Sequence, residues 1–365
     1  MDPLFKWPGG KSRELSTIRP LVPGHKRFIE PFAGGAAVFF DLEPSSAILN
    51  DINPTLILAY QLIGQQPKKL EKELRHIASS RKHIALFAEE VSQEVLVIHR
   101  KNSANFSAQA VEKIMAAKKP KFVKLEESKW AKIDDLYSAM TKSLISKIGR
   151  IINHEKKGAW SDKDVVKQIE TAFHAGLYTY IRDKQVAKTD LEKVARFLYL
   201  REFCYGAMFR YNKEGKFNIP YGGYSYNSKS FSKKINNWFD PQTVSLLKRT
   251  GIYCLSFEDL TKKVAFKKDD FIFLDPPYDT EFSDYDQFSF DAKKQKELAE
   301  WYAKLPCPSL MIIGKTPLIE KLYKAAQRTN PGIVIEEYEK TYAYNVKGRN
   351  ERKITHLAIR NYPLS

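Results

Sequence analysis

Cysteine is scarce in this chain: Cys204, Cys254 and Cys307 are all there is in 365 residues. They are odd in number, far apart and without CxxC spacing. That argues against a disulfide framework or a structural zinc site and fits a reducing compartment. The histidines are scattered, with no close pair at ligand spacing, so no protein-bound metal is expected. No apolar run approaches bilayer-spanning length. The opening Met1-Asp2-Pro3-Leu4-Phe5-Lys6 carries no apolar leader core. These shortages point to a cytoplasmic protein with no membrane partner. Acidic residues are also in short supply: 43 Asp and Glu face 60 Lys and Arg, a net charge of +17. Aromatic residues reach 13%. A basic, aromatic-rich composition suits a polyanionic partner. Over half of the excess lies in residues 61–200, where 27 basic side chains meet 17 acidic ones.

Local patterning divides the chain into three parts. Residues 28–32 read as a short buried strand, Gly34-Gly35 interrupt it, and 36–42 look helical. Ala47-Ile48-Leu49 read as a second strand ending at Asn50-Asp51, after which Pro54 opens a helix to about Gln65. This is the βαβ start of an open α/β sheet. From 67 to 200, Lys, Glu, Ala and Leu at helical spacing predict helices, with looser stretches near 101–108 and 155–163. Tyr211 to Ile219 reads as a hairpin whose turn uses Gly215 at positive φ. After 250 the α/β pattern returns. Strands are expected at 252–255, 271–274, 309–313 and 355–360, with a helix over 291–304. The simplest architecture is an α/β sheet domain built from 1–66 and 231–365. A mainly helical and hairpin module, 67–230, is inserted between its halves.

The most informative motif is Asp275-Pro276-Pro277-Tyr278. It directly follows an apolar strand, at the carboxyl end where open α/β sheets bind ligands. Two prolines cannot extend a ladder and make a rigid stop. An exocyclic amine such as adenine N6 is a poor nucleophile, because its lone pair is delocalised into the ring. A carboxylate (Asp275) and a backbone carbonyl (Pro276), each accepting one N6 hydrogen, localise that pair and stabilise the developing positive charge. Tyr278 offers a plane on which a flipped base stacks.

Other segments fit around that motif. Glu30-Pro31-Phe32-Ala33-Gly34-Gly35 is a strand and glycine turn suited to close approach by a nucleoside cofactor. It lacks GxGxxG spacing, which disfavours NAD. Asp51 reads either as an acceptor for ribose hydroxyls or as the cap of the helix that follows. Gly10-Lys11-Ser12 invites a P-loop reading but fails on spacing, and no strand precedes it. A loop over the cofactor is the better reading, with Trp7 packing on it and Lys11 reaching a carboxylate.

With these residues in place, the sequence resembles the DNA adenine methyltransferase (Dam) family. The segments that carry the resemblance are Lys6 to Lys11, Glu30 to Gly35 with Asp51-Ile52-Asn53, Phe209 to Asn212 running on to Gly215 through Gly222, and Asp275 to Tyr278. Tyr342 to Arg349 resembles the family's C-terminal loop more weakly. The resemblance implies a Rossmann-like S-adenosylmethionine-dependent methyltransferase sheet with an inserted target-recognition module. It also implies transfer of methyl to N6 of an adenine flipped from double-stranded DNA, beside a nucleoid or in an infected cell, with a cognate restriction endonuclease as a partner. Trp7, Lys11, Asp51, Phe257 and Asp275, with the segment Glu30, Pro31, Phe32, Ala33, Gly34 and Gly35, are then the cofactor residues. Asp275, Pro276, Pro277 and Tyr278 form the catalytic segment. Tyr205 sits where the family places a wedging aromatic, and Arg210 where it places a guanine-reading arginine. Met208, Asn212, Lys213, Pro220 and Tyr224 complete the expected DNA surface. Gly223 stands where GATC-specific members carry a basic side chain, and Met208-Phe209 replace the usual small and apolar pair. The resemblance therefore carries no GATC target across.

Three rival readings remain at this level. Methylation of cytosine N4 uses a similar site, although Ser usually replaces the acid of Asp275 there, and methylation of RNA is a further rival. A DNA-binding module without catalysis is the rival of another class, and Asp275, Asp51, Lys11 and Trp7 argue against it.

Overall fold

Five short runs, each too short for a helix, become the parallel strands of one sheet. A computed structural model describes residues 1–101, 107–125, 131–156, 158, 160–183, 187–207, 210–212, 214–278, 290–341 and 353–364. In chain order, α1 (Leu15–Ile18), β1 (Arg27–Glu30), α2 (Ala37–Leu42), β2 (Ala47–Asn50) and α3 (Pro54–Gln65) come first. Long helices follow: α4 (Pro67–Lys101), α5 (Ala108–Leu125), α6 (Ile133–Glu155), α7 (Asp162–Asp183) and α8 (Asp190–Phe203). Next are α9 (Phe231–Trp238), α10 (Pro241–Lys248), β3 (Gly251–Tyr253), α11 (Phe257–Lys263), β4 (Asp270–Leu274) and α12 (Ala292–Tyr302). The chain closes with β5 (Ser309–Gly314), α13 (Pro317–Thr329), β6 (Val334–Thr341) and β7 (Lys353–Arg360).

The helix starts follow local chemistry. Ser256, Asp291 and Thr316 each accept a backbone N–H of the first turn of α11, α12 and α13, and Pro317 then occupies a first-turn position that needs no donor. The Asn53 side chain does the same for α3, accepting from the N–H groups of Thr55 at 3.1 Å and Leu56 at 3.0 Å.

The seven strands lie in the order β3-β2-β1-β4-β5-β7-β6. The pairs from β3 to β5 are parallel, and the β7 pairs with β5 and β6 are antiparallel. All five residues of β4 and all six of β5 are buried. Such uninterrupted burial is what a parallel strand covered on both faces requires. The order runs outward from β1 through β2 to β3, then returns to the other side of β1 at β4. That reversal is a switch point, and the crevice at the carboxyl ends of β1 and β4 is where open α/β sheets bind ligands.

By packing, the chain divides into two units. The sheet unit holds 1–65, 209–216 and 241–365, and the helical unit holds 66–208 and 217–240. The helical unit has its own core. Phe87 lies 5.1 Å from Phe122 and 5.7 Å from Phe173, ring centre to ring centre, and Phe122 lies 5.3 Å from Tyr137. Arg81 is buried in this unit, its guanidinium 4.1 Å over the Phe203 ring. It donates to the carbonyls of Tyr226 at 2.9 Å and Asn227 at 3.1 Å, which pins the segment after Tyr221 to the helices.

The expected strands of the sheet and the helices 36–42, 54–65 and 291–304 appear with ends at most two residues away from those expected. α1, α9, α10, α11, α13 and β6 were not expected, and the β6 edge of the sheet is antiparallel. No helix among the described residues is long and apolar enough to cross a membrane.

Candidate active site

The glycine turn after β1 is fixed from several sides. Gly34 has φ +47°, a left-handed conformation that favours glycine, and Ala36 follows at φ +50°. A Cβ on Gly34 would stand 2.7 Å from Trp7 Cδ1, and one on Gly35 would stand 3.1 Å from Trp7 Cβ. The close approach that these glycines permit is therefore taken by Trp7 of the chain itself. Tyr60 donates to the Gly34 carbonyl at 2.8 Å. Asp51 Oδ2 accepts the Gly34 N–H at 2.8 Å, and Oδ1 accepts the Asn53 N–H at 2.9 Å. Asp51 thus ties the turn to the end of β2, and the cap of α3 is Asn53. This corrects the reading of Asp51 as that cap.

Asn50, absent from the expected site, is the other organiser. Its buried side chain donates to the carbonyls of Pro31 and Leu255, both at 2.9 Å, and accepts the Leu255 N–H at 3.1 Å. It joins the segments after β1 and β3 to the end of β2. An amide at a strand terminus, next to an acid, was the available signal.

Lys11 carries the second half of the site. Its side chain is 2% exposed. The ammonium donates to Asp275 Oδ1, to the Tyr278 hydroxyl at 3.1 Å and to the Gly9 carbonyl at 3.1 Å. The Asp275 side chain is 19% exposed. Burial pushes its carboxyl above the ordinary range, and Lys11 partly reverses that. Pro276 is buried, Pro277 is exposed, and the Pro277 carbonyl accepts from Gln295 Nε2 at 2.8 Å. The rigid turn after β4 is therefore held at both ends.

Glu30, at the end of β1, is fully enclosed. Burial first, then the charge of Asp275, pushes its carboxyl well above the usual range. Its Oε2 is buried without a hydrogen-bond partner. Lys11 and Asp51 also act on Glu30, so Glu30, Asp51, Asp275 and Lys11 form one electrostatic group.

Beside them lies an aromatic cluster. Phe257, at the start of α11, has its ring centre 5.8 Å from Phe32, 6.0 Å from Phe290 and 5.9 Å from Trp301. Phe290 and Trp301 had no motif to mark them. Ala33 is buried and donates its N–H to the Asn50 carbonyl at 2.8 Å.

Of the expected DNA-contacting residues, Tyr205, Pro220 and Tyr224 belong to the helical unit. Tyr205 is 40% exposed, Tyr224 is 60% exposed, and the Tyr205 N–H donates to the Pro220 carbonyl at 2.9 Å. Arg210 and Asn212 fall within the sheet unit, and Arg210 is exposed. Asn212 organises a turn. Its Oδ1 accepts the N–H groups of Glu214 at 3.1 Å and Lys216 at 2.8 Å, and Gly215 has φ +70°, as expected. Met208, Phe209, Lys213 and the segment 342–349 lie outside the described residues.

Comparison with known proteins adds the family. Over 369 residues the chain is 28% identical to the Type II methyltransferase M.CviBI of Paramecium bursaria Chlorella virus NC1A, covering 99% of this chain and 100% of that one. It is 27% identical to the Type II methyltransferase M.MjaIII of Methanocaldococcus jannaschii, covering 84% and 80% of the two chains. It is 24% identical to the Retron Ec67 DNA adenine methylase of Escherichia coli, covering 89% and 81%. The family model for D12 class N6 adenine-specific DNA methyltransferases matches residues 7–341, from Trp7 to the end of β6. The chain belongs to that family and is an adenine-N6 DNA methyltransferase.

Proposed function

We propose that the chain moves a methyl group from S-adenosylmethionine to N6 of an adenine flipped out of double-stranded DNA, with Asp275 as the residue that receives the amine. The observation that carries this is the Lys11–Asp275–Tyr278 array at the sheet switch point, with Glu30 at the end of the neighbouring strand.

The residues present fit such a cofactor. Glu30 brings a buried oxygen with no partner, and Asp51 and Asp275 add two more acids, a set suited to a cationic sulfur and an amine. Phe32 and Phe257 supply flat apolar walls for an adenine. Asp51, at the end of β2, is the acid placed to meet ribose hydroxyls, and the two backbone N–H groups it accepts fix its orientation. Trp7 packs on the Gly34-Gly35 turn and closes the site from the N-terminal side. When bound, S-adenosylmethionine supplies an electrophilic methyl group on sulfur.

The chain's own groups do the rest. Asp275 accepts one N6 hydrogen and the Pro276 carbonyl the other, which returns the lone pair to nitrogen. Lys11 opposes the rise that burial imposes on the Asp275 carboxyl, which favours the carboxylate. Pro276 and Pro277 hold the acid and the carbonyl in one orientation, and Gln295 fixes the turn from behind. Tyr278 stacks on the extruded base. The helical unit acts as the target-recognition module, with Tyr205 and Tyr224 as stacking side chains; Arg210 reads a guanine. The Type II names of two relatives support a modification role beside a restriction endonuclease, on DNA in the cytoplasm or at the nucleoid.

Calorimetric titration of S-adenosylmethionine tests the cofactor assignment. Saturable binding by the wild type, weakened about tenfold or more in Phe257→Ala by loss of stacking, is expected. No binding by the wild type contradicts it.

A further inference from the structure

Tyr278 is held by more than Lys11. A Cβ on Gly314, the last residue of β5, would stand 3.2 Å from the Tyr278 ring, so the ring lies directly on that strand. The ring meets His356 of β7 in a T-shaped contact, with centres 5.3 Å apart and planes at 89°. His356 is opposite Gly314 in β5 and opposite Tyr338 in β6, so the three residues share one face of the sheet. Lys340, two residues beyond Tyr338, points to that same face.

These side chains converge on Glu14, one turn after Lys11. Glu14 Oε1 accepts from Lys340 Nζ at 2.5 Å. Its Oε2 accepts from the Tyr338 hydroxyl at 2.6 Å and engages His356 Nδ1 at 2.8 Å. Glu14, Lys340 and His356 are all buried. Glu14 and Lys11 are also linked through the backbone, by the Glu14 N–H to the Lys11 carbonyl at 2.8 Å. A buried ionic group costs several kcal/mol to desolvate and is no obvious gain in stability over apolar packing. None of its members belongs to the segments that carry the proposed methyl-transfer roles. What the cluster does touch is the ring of Tyr278 and the turn that carries Lys11.

We propose that Glu14 and His356 are positioning residues for methyl transfer, fixing the plane of Tyr278 through its T-shaped contact with His356 and the reach of Lys11 through the turn at Glu14. This rests on the roles given above to Asp275 and Tyr278. A double-mutant cycle separates positioning from bulk stability. Glu14→Gln and His356→Phe are each expected to slow single-turnover methylation about tenfold, while KM for DNA and for S-adenosylmethionine stays within about twofold. In a Tyr278→Ala background His356→Phe is expected to cost less than about twofold, because the ring it orients is gone, whereas Glu14→Gln keeps the part of its cost that runs through Lys11. Tyr338→Phe removes one hydrogen bond from Glu14 without emptying volume, and it carries the same test where Glu14→Gln lowers the melting temperature. Unchanged rates in the single variants overturn the inference. A His356→Phe loss that adds in full to that of a slow Tyr278→Ala overturns it too and leaves the site reading standing. A wild-type rate in Tyr278→Ala overturns both.

Discussion

Lys11 donates its ammonium to Asp275 Oδ1, joining a loop near the start of the chain to a strand end 264 positions later. Neither residue is explicable alone. A lysine 2% exposed needs an anion, and an acid at the mouth of a buried strand end needs a cation to stay ionised. The same ammonium reaches the Tyr278 hydroxyl, so one side chain holds both the acid and the ring of the segment Asp275 to Tyr278.

Replacing Lys11 by Met removes that cation and keeps the volume. Burial already raises the Asp275 carboxyl, and Lys11 is the group that lowers it. Without Lys11 it rises further. The proposed mechanism uses the carboxylate, so activity is expected to fall as the acid becomes protonated, and the acid limb of the rate profile to move to higher pH in the variant. Single-turnover rates against pH for both proteins check this, and superimposable profiles contradict it.

Acid is expected to destabilise the fold in two stages. Burial raises the Glu14 carboxyl, but the bonds from His356, Lys340 and Tyr338 and the charge of Lys11 outweigh it and hold it at about 2, below its usual 4.5. Burial, then the Arg81 charge, pushes His174 from 6.5 down to about 3. Both values are depressed on folding. Each group therefore gives stability that is present above its unfolded value and lost as pH falls toward the folded one. The unfolding free energy should begin to drop below pH 6.5, from His174, and steepen below 4.5, as Glu14 joins. His174→Gln should flatten the upper stage in denaturant titrations. A wild-type curve level down to pH 4.5 contradicts the assignment.

Much of this was legible in the sequence, and the omissions have physical causes. The helix Pro54–Gln65 was expected at its observed bounds, because proline at the first turn is a local signal. Asp275 to Tyr278 was placed correctly at a strand end, because apolar run and double proline are adjacent. β6 was missed, since Val334-Ile335-Glu336-Glu337-Tyr338-Glu339 lacks a clean alternation; it is an edge strand whose partner decides its state. Glu14 and His356 were not singled out, because burial of a charge depends on partners more than 300 positions away. Asp51 was flagged as a site residue, but its bond to the Gly34 N–H is a tertiary fact that no spacing contains.

Arg210→Ala is expected to relax sequence preference. Its guanidinium is exposed and suited to a bidentate contact with guanine. Loss of discrimination of about 1–3 kcal/mol at one position of the site is the expected size. Sequencing of methylated sites in random duplex DNA reads it, and an unchanged pattern refutes the role.

Lys68, Lys69 and Lys72 are exposed on the first turns of α4, in the stretch that carries most of the basic excess. Changing all three to Ala should weaken DNA binding nearly equally for all sequences. The slope of log affinity against log salt should fall by about 0.9 for each phosphate contact removed. A loss of cofactor affinity instead would assign this stretch another task.

The central claim is that Asp275 receives an adenine amine and a methyl group is transferred to it. The most direct measurement is transfer of labelled methyl from S-adenosylmethionine to mixed-sequence duplex DNA, by wild type and by Asp275→Ala, followed by nucleoside analysis. The account predicts label in N6-methyldeoxyadenosine with the wild type and none with the variant, whose DNA affinity stays within about tenfold because it meets no phosphate. Label in N4-methylcytosine, or wild-type transfer by Asp275→Ala, would contradict it.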